Sequence, residues 1–547
     1  MAKGWRQAAL LRLAGEEFDL LVVGGGATGA AIARDAATRG LRTALCERGD
    51  FACQTSSASS KLIHGGLRYL QNGDFGLVFE ALAERRRLLT TAPHLCRPVE
   101  FVYPAYRGRS PSRALLALGV GLYDALALWR PPVRSSRLSS SALYSTLPCL
   151  RSAGLLGAQS YVDCQTDDAR MVLENVLDAR DAGAVVASYV EIENAPARRP
   201  VRVVNALDRL GGERFAIQAR LVVNAVGPFC DSFGLGPRRL RPTKGVHIIV
   251  DAERVQLGGR AVVLHSPRDA RLMFALPAGR RVLIGTTDTD WRARDQAARP
   301  PHPSDPIRAS GEDVDYLLEA ANHAFPPARL QRDDVIGTIA GLRPLIASSA
   351  GTPSATSREH EIWLDPGGVL TVAGGKLTTM RLMAEQALDR AVDLLSDRGR
   401  SEAVGPCRTR TRPLPGAGEA RLATSLPDDI QMHLLRAYGS RAGQVEALID
   451  ADGTLARRLD PELPYIAAEL VFGIRFDLAC EVEDLLRRRT PLLIESRGHG
   501  LDVAPEAARL LARETGLSAQ QEAAILTRYA EAVRTADIWR GDQSLPD

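Results

Sequence analysis

The chain has 547 residues, a length for two to four domains, and its 45% hydrophobic and 24% charged content is that of a folded globular protein, which excludes wholesale disorder and a collagen-like repeat. With 69 basic against 65 acidic side chains the net charge is only +4, too balanced for a protein built around nucleic acid. Only Lys3, Lys61, Lys244 and Lys376 are lysines and the rest of the basic set is arginine, a coding bias that makes each internal lysine worth following. Residues 1–17 carry Lys3, Arg6 and Arg12 but no uninterrupted apolar run or small-residue cleavage site, so no signal peptide is expected. Phe18–Val23 reads as a buried strand, Ala27–Arg39 as a helix and Leu41–Glu47 as a second strand, a βαβ unit that implies a parallel sheet.

The most hydrophobic stretch, Ala114–Trp129, is shorter than the roughly 20 residues a bilayer core needs and contains Asp124, so no transmembrane helix is expected. Arg107, Arg109 and Arg113 precede it and Arg130, Arg134 and Arg137 follow. That pattern fits either a helix lying on an anionic membrane surface or a core helix with solvated ends. Asp167 and Asp168 cap a predicted helix to about Ala182. Strand patterns follow at Ala184–Ile192, Arg214–Asn224, Gly245–Val250 and Arg281–Thr286. Residues 396–418, crowded with Arg, Pro, Gly and Ser, read as a linker. Helical spacing in Ala467–Arg489 and Pro505–Thr515 predicts a separate helical domain beyond it. The eight cysteines form no C-x-x-C pair and no Cys/His cluster, so a reduced cytosolic setting and no metal site are expected.

Gly24-x-Gly26-x-x-Gly29 directly follows the first strand and opens the helix. Such glycines serve a tight turn (Gly24), close approach of the backbone to a pyrophosphate (Gly26) and helix–strand packing (Gly29), with Ala27 and Thr28 at the helix N-terminus facing the phosphate charge. Glu47, ending the second strand, can accept from ribose hydroxyls and disfavours a 2′-phosphate, which points to FAD or NAD rather than NADP. In Thr55–Leu70, short hydroxyls (Thr55, Ser56, Ser57, Ser60) surround Lys61, Leu62, His64, Arg68 and Tyr69, the make-up of a loop wrapped around a polar cofactor. The segment Gly374–Arg381 places Gly375, Lys376, Leu377 and Thr378 where backbone N–H groups can meet a flavin edge that gains negative charge.

The motifs GGGATGAAIARDAATRGL, SSASSKLIHGGLRYL, YVDCQTDDARMVL, RPTKGVHIIV, LIGTTDTDW, GLRPL, SREHEI and VAGGKLTTMR, taken together and in this order, resemble the FAD-dependent, respiratory glycerol-3-phosphate dehydrogenases from about Phe18 to Leu394. The resemblance implies an α/β fold: a Rossmann-like FAD-binding domain, a mixed β-sheet substrate domain of the glycine-oxidase type, and a C-terminal α-helical domain. The corresponding division is an oxidoreductase region over 18–395, with FAD-binding parts near 18–75, 160–240 and 335–395 and substrate parts near 76–159 and 241–334. A linker over 396–418 and helices over 419–540 complete it. Implied with the fold are FAD, contacted also by Val190 and Gly227, glycerol 3-phosphate as donor and a membrane quinone as acceptor. Attachment to the inner face of the cytoplasmic membrane goes with these, and the homodimer is left open. One departure is NAVGPF, where Val226 and Phe229 replace the family's Thr and Trp; altered packing rather than altered chemistry is expected.

A site for glycerol 3-phosphate needs fixed cations for the phosphate and a base for the C2 hydroxyl. The resemblance places Arg68, Arg343, Arg358 and Lys376 as the cations, with Arg343 also in the catalytic set and Tyr69 against substrate. His64 is the favoured base, since it shares a loop with Arg68 and imidazole titrates near neutral pH; His247 is the alternative. Lys61 is expected to order the cofactor loop. Lys244 either lines the pocket or closes the polar edge of the sheet.

Overall fold

The computed structural model describes residues 4–67, 73–108, 111–127, 135–193, 201–291, 302–303, 305, 307–347, 359–397, 403–423 and 425–541. Glu17–Val23 pairs in parallel with Thr43–Glu47 on one side and Arg214–Asn224 on the other. Val185–Ser188 and Leu370–Gly374 extend this parallel core outward, and His360–Leu364 adds an antiparallel edge. Leu20, Leu21 and Val22 are all buried, as strands covered on both faces must be. Ala27–Thr38, Asp168–Asp181 and Met380–Asp397 pack together on one face through Ile32, Val176 and Leu388. Trp5–Gly15 and the strand Arg202–Asp208 cover the other through Leu13 and Val204. Asp167 caps its helix, its carboxylate accepting from the Arg170 N–H at 3.0 Å.

The stretch 184–192 forms two strands, Val185–Ser188 and Val190–Ile192, not one. Tyr189 breaks the run at φ 59°, its N–H donating to Gly49 O at 2.9 Å and its hydroxyl to Asp484 at 2.6 Å. Tertiary bonds override strand propensity at that one residue.

A second, mixed sheet runs Thr289–Asp290, Thr243–Asp251, Arg281–Gly285, Leu272–Ala278, Ala261–His265, Arg97–Tyr106, Leu155–Gln165 and Leu62–Ile63, with Gly337–Arg343 also paired to Thr243–Asp251. Register sets Arg343 opposite Thr243, and His247 opposite both Ile339 and Gly285. The helices beyond residue 425 have a small core of their own around Leu434, Tyr438 and Phe472. Leu470, Leu486 and Leu493 join Ile336, Ile339 and Val263 in a larger core shared with the second sheet. Within 403–423 the chain is pinned to the first sheet's helices, Arg410 pairing with Glu385 and Arg412 with Asp178.

The apolar helix spans Arg113–Leu126, capped by Ser112. Asp124 points inward and accepts from the Ser135 N–H and hydroxyl at 3.1 and 2.6 Å. Among the described residues no helix is long and apolar enough to cross a membrane.

Candidate active site and cofactor cavity

At the carboxyl ends of the parallel strands lies a cavity of about 700 Å³, the place where open α/β sheets bind ligands. Gly24 turns there at φ 105°, and a Cβ on it would lie 2.7 Å from Ala225 O. A Cβ on Gly29 would sit 1.8 Å from Gly24 O, so Gly29 serves the packing of helix on turn and stays off the wall. Gly26 opens Ala27–Thr38 without a side-chain cap, and the Ala27 N–H donates to Ser56 Oγ at 2.9 Å. Glu47 accepts from the Gly25 and Gly49 N–H groups at 2.7 and 2.8 Å. Burial pushes its carboxyl up, against the pull of those two donors. A carboxylate has four acceptor positions, so capacity remains for a hydroxyl.

Of the sequence candidates, Gly24, Gly26, Ala27, Thr28, Glu47, Thr55, Ser56, Val190, Gly227, Gly375, Lys376 and Leu377 line this cavity. Ser57, Ser60, Lys61, Leu62 and Thr378 are not on its wall. The Ser57 hydroxyl turns back to Gln54 O at 3.5 Å, and Leu62 pairs with Gln165 in the second sheet. Lys61 forms an ion pair with buried Asp168, whose other oxygen accepts from the Ser59 N–H and hydroxyl. The loop is thereby latched to the first turn of Asp168–Asp181. Val226 and Phe229, the two departures in NAVGPF, both line the cavity, as do Arg48, Tyr189, Pro344, Glu483 and Arg488. Pro344 belongs to GLRPL; nothing local in sequence marked Glu483 or Arg488.

Beside the cavity a second cluster forms. Arg343 ends the strand leading into Pro344, and its guanidinium donates to Asp288 Oδ1 at 3.0 Å, Thr286 Oγ1 at 3.0 Å and Thr287 O at 2.9 Å. Asp288 divides its charge between Arg343 and Arg271, the latter also at 3.0 Å. A Cβ on Gly245 would lie 2.4 Å from Arg343 Nη2, and one on Gly285 would lie 2.3 Å from His247 Cδ2, so these glycines make room for the two side chains. His247 Nε2 lies 2.9 Å from Ser60 Oγ. Burial, reinforced by Arg343 and Lys61, lowers the His247 pKa to about 3, so its imidazole is neutral at physiological pH. Ser60 thus belongs to this cluster and joins the cofactor loop to it.

His64 is held through its backbone, its N–H donating to Thr378 Oγ1 at 3.1 Å and its carbonyl accepting from the same hydroxyl at 3.3 Å. The histidine loop and the Gly-Gly-Lys segment therefore meet. The next residue, Gly65, donates its N–H to Tyr123 Oη at 2.8 Å, and that hydroxyl bonds Asp163, which Arg85 neutralises. Lys244 pairs with Asp313 and so serves the polar edge of the sheet, away from the cavity wall. Arg68, Tyr69 and Arg358 lie outside the described residues.

A turn with no room for a Cβ, helix-terminal N–H donors, a ribose-competent carboxylate and a 700 Å³ volume fit a dinucleotide. Residues 19–390 match the FAD dependent oxidoreductase family, and residues 407–522 match the C-terminal domain of alpha-glycerophosphate oxidase. An aerobic glycerol-3-phosphate dehydrogenase of Staphylococcus aureus (strain MRSA252) is 34% identical over 554 residues, covering 96% of each chain. The chain belongs to the FAD-dependent glycerol-3-phosphate dehydrogenase family. Its fold superimposes on the glycerol-3-phosphate dehydrogenase from Bacillus halodurans, a structure complexed with FAD, with a TM-score of 0.76, 29% identity and 99% coverage of both chains. Glycine oxidase from Geobacillus kaustophilus shares the fold at a TM-score of 0.50 and 22% identity, over 73% of this chain and 98% of its own. The cofactor of this glycerol-3-phosphate dehydrogenase family member is FAD, and the cavity with its Gly24–Gly29 turn suits it.

Proposed function

We propose that this flavoprotein oxidises sn-glycerol 3-phosphate at C2 to dihydroxyacetone phosphate and passes the electrons to a membrane quinone. FAD, when bound, supplies the hydride acceptor at N5 and the onward route for electrons. The protein's own residues bind the phosphate, orient C2 and move the hydroxyl proton. The observation that carries this reading is Arg343, held by Asp288, Thr286, Thr287 and Thr243 close to neutral His247 in the cluster beside the cavity. Its Nη hydrogens are committed to these protein acceptors, so in this reading Arg343 serves the phosphate as a positive charge fixed in place beforehand. Lys376 on the cavity wall adds a second charge, and Arg68 and Arg358 complete the cation set in this reading. His64, locked by Thr378, takes the proton from the C2 hydroxyl, with His247 as the alternative base.

Anaerobic addition of glycerol 3-phosphate should bleach the flavin absorbance of the purified protein; an oxidised spectrum that persists would overturn the substrate assignment. A second reading, with oxygen as acceptor, draws on the match of residues 407–522 to the C-terminal domain of an oxidase. Hydrogen peroxide yield with and without quinone discriminates the two: a yield that quinone does not diminish would establish oxygen as the acceptor.

The helix Arg113–Leu126 supports placement on the inner face of the cytoplasmic membrane. It exposes Leu115, Leu118 and Leu122, Leu118 being 70% accessible. The neighbouring helix Phe75–Thr91 exposes Phe75 and Phe79, and Arg107, Arg113 and Arg137 are exposed nearby in sequence. Apolar residues beside basic ones suit an anionic bilayer surface. The triple change Leu115→Ser, Leu118→Asp, Leu122→Ser should abolish co-flotation with anionic vesicles; flotation that survives would remove this helix from the membrane contact.

A further inference from the structure

The C-terminal helices are remote in sequence from the glycine turn, yet Glu483 and Arg488 stand on the wall of the cofactor cavity, beside Asp50 and Tyr189. Asp50 follows Glu47 by one short turn. Tyr189 directly precedes Val190, and its N–H is tied to Gly49 O. The loop after Glu47 and the bend at Tyr189 thus form one lip of the cavity, at the end where a dinucleotide's ribose is bound.

Asp484–Arg489 is wound as a π-helix, a rare form that is frequent at functional sites. It grips that lip from outside. Arg488 and Arg489 both pair with Asp50, and Arg488 Nη2 donates to Asp484 at 2.8 Å. The Tyr189 hydroxyl donates to the same Asp484 oxygen at 2.6 Å. The Arg489 guanidinium also donates to Asp477 O at 2.6 and 3.0 Å, anchoring the cluster in the C-terminal domain. Asp50 and Asp484 are completely buried, Arg488 and Arg489 nearly so. Charges buried to this degree hold only while all partners are in place, since removal of one strands the others. The lip is therefore ordered by the C-terminal domain.

We propose that the C-terminal domain is a working part of the FAD site: Glu483–Arg489 closes the adenosine end of the cavity and, through Asp50 and Tyr189, couples FAD binding to docking of that domain. Coupling of this kind is reciprocal, so FAD must also tighten the docking it depends on.

Two measurements on the full-length chain test this without substrate. FAD affinity of the apoprotein is read from flavin fluorescence in Asp484→Asn, whose side chain does not line the cavity, and in the milder Tyr189→Phe, which removes one hydroxyl and keeps the ring. Each variant that folds should raise the FAD Kd about fivefold or more. Hydrogen exchange of residues 478–494 is then compared with and without FAD in the parent chain, where FAD should slow it. A Kd within twofold of the parent in Tyr189→Phe, or exchange across 478–494 unaffected by FAD, overturns the proposal.

Discussion

The sharpest consequence of the Arg343 geometry concerns a residue with no side chain. Gly245 lies inside the strand Thr243–Asp251, directly opposite Gly341, where alanine adopts the backbone without strain. Its missing Cβ leaves the space that the Arg343 guanidinium occupies: a Cβ would lie 2.4, 2.7 and 2.9 Å from Nη2, Cζ and Nη1. Ordinary contact needs about 3.5 Å, so Gly245→Ala must push the fork by roughly 1 Å. Its bonds to Asp288, Thr286 and Thr287 already stand at 2.9–3.0 Å and cannot all survive that shift. Displacement of about 1 Å in a positioning group costs on the order of 10²-fold in rate. The clash falls on the far end of a side chain and not on backbone, so the fold itself should tolerate the change. Steady-state assays with glycerol 3-phosphate should then show kcat/KM lower by roughly 10–100-fold, with FAD content and melting temperature near those of the parent. Parent-like kcat/KM in a folded, FAD-loaded variant would refute the role given to Arg343.

Three further expectations follow from the same neighbourhood. His247 titrates at about 3 when folded against about 6.5 unfolded; its neutral form contributes fully above pH 6.5, and the contribution is lost as the pH falls toward 3. Between pH 7 and 5 this amounts to about 2 kcal/mol, so His247→Gln should lose that much less stability over the interval in urea titrations, and an unchanged acid slope would contradict the assignment. Lys376→Arg replaces a compact ammonium on the cavity wall by a wider fork; slower flavin reduction is expected, and full activity would show that only charge is needed there. Tyr123→Phe deprives the Gly65 N–H and Asp163 of their shared hydroxyl, a loss of about 1–3 kcal/mol. Calorimetry should show the loss and stopped-flow a slower reduction, whereas parent-like values in both would free the His64 loop from this network.

What sequence could reveal was local. The Gly24–Gly29 turn is defined by residues a few positions apart, and the backbone there admits no alternative: a Cβ on Gly29 would collide with Gly24 O. Lys61, Lys244 and Lys376 stand in equally suggestive motifs, but two of them meet carboxylates far along the chain, Asp168 and Asp313, and only Lys376 reaches the cavity wall. No pattern near Lys61 announces Asp168, since the two lie 107 residues apart in the chain and are brought together by the pairing of Leu62–Ile63 with Gln165 and Cys164. The bend at Tyr189 was hidden for the same reason: its φ of 59° is imposed by Gly49 and Asp484, not by its own propensity. Glu483 and Arg488 on the cofactor wall were beyond any local reading, because the contact that places them spans 438 residues between Arg488 and Asp50.

The segment 55–64 explains why a chain with two separate sheets can behave as one site. Its first turn serves the cofactor sheet, Ser56 accepting from the N-terminal N–H of the glycine-turn helix. Thr55, the residue just before Ser56, donates to Leu342 O in the second sheet at 2.7 Å, and Ala58 fills the space above Gly341 there. Its far end carries Ser60 to His247, then His64 to Thr378. The strand bearing Arg343 and the glycine turn are therefore bonded to adjacent residues of one segment, Thr55 and Ser56. Short hydroxyl side chains suit this work because each can bond a backbone group and a neighbour at once, while bulkier residues would wedge the sheets apart. The run of serines that marked the loop in sequence thus holds the two sheets in register, with Ser56 and Ser60 bonded to opposite ones.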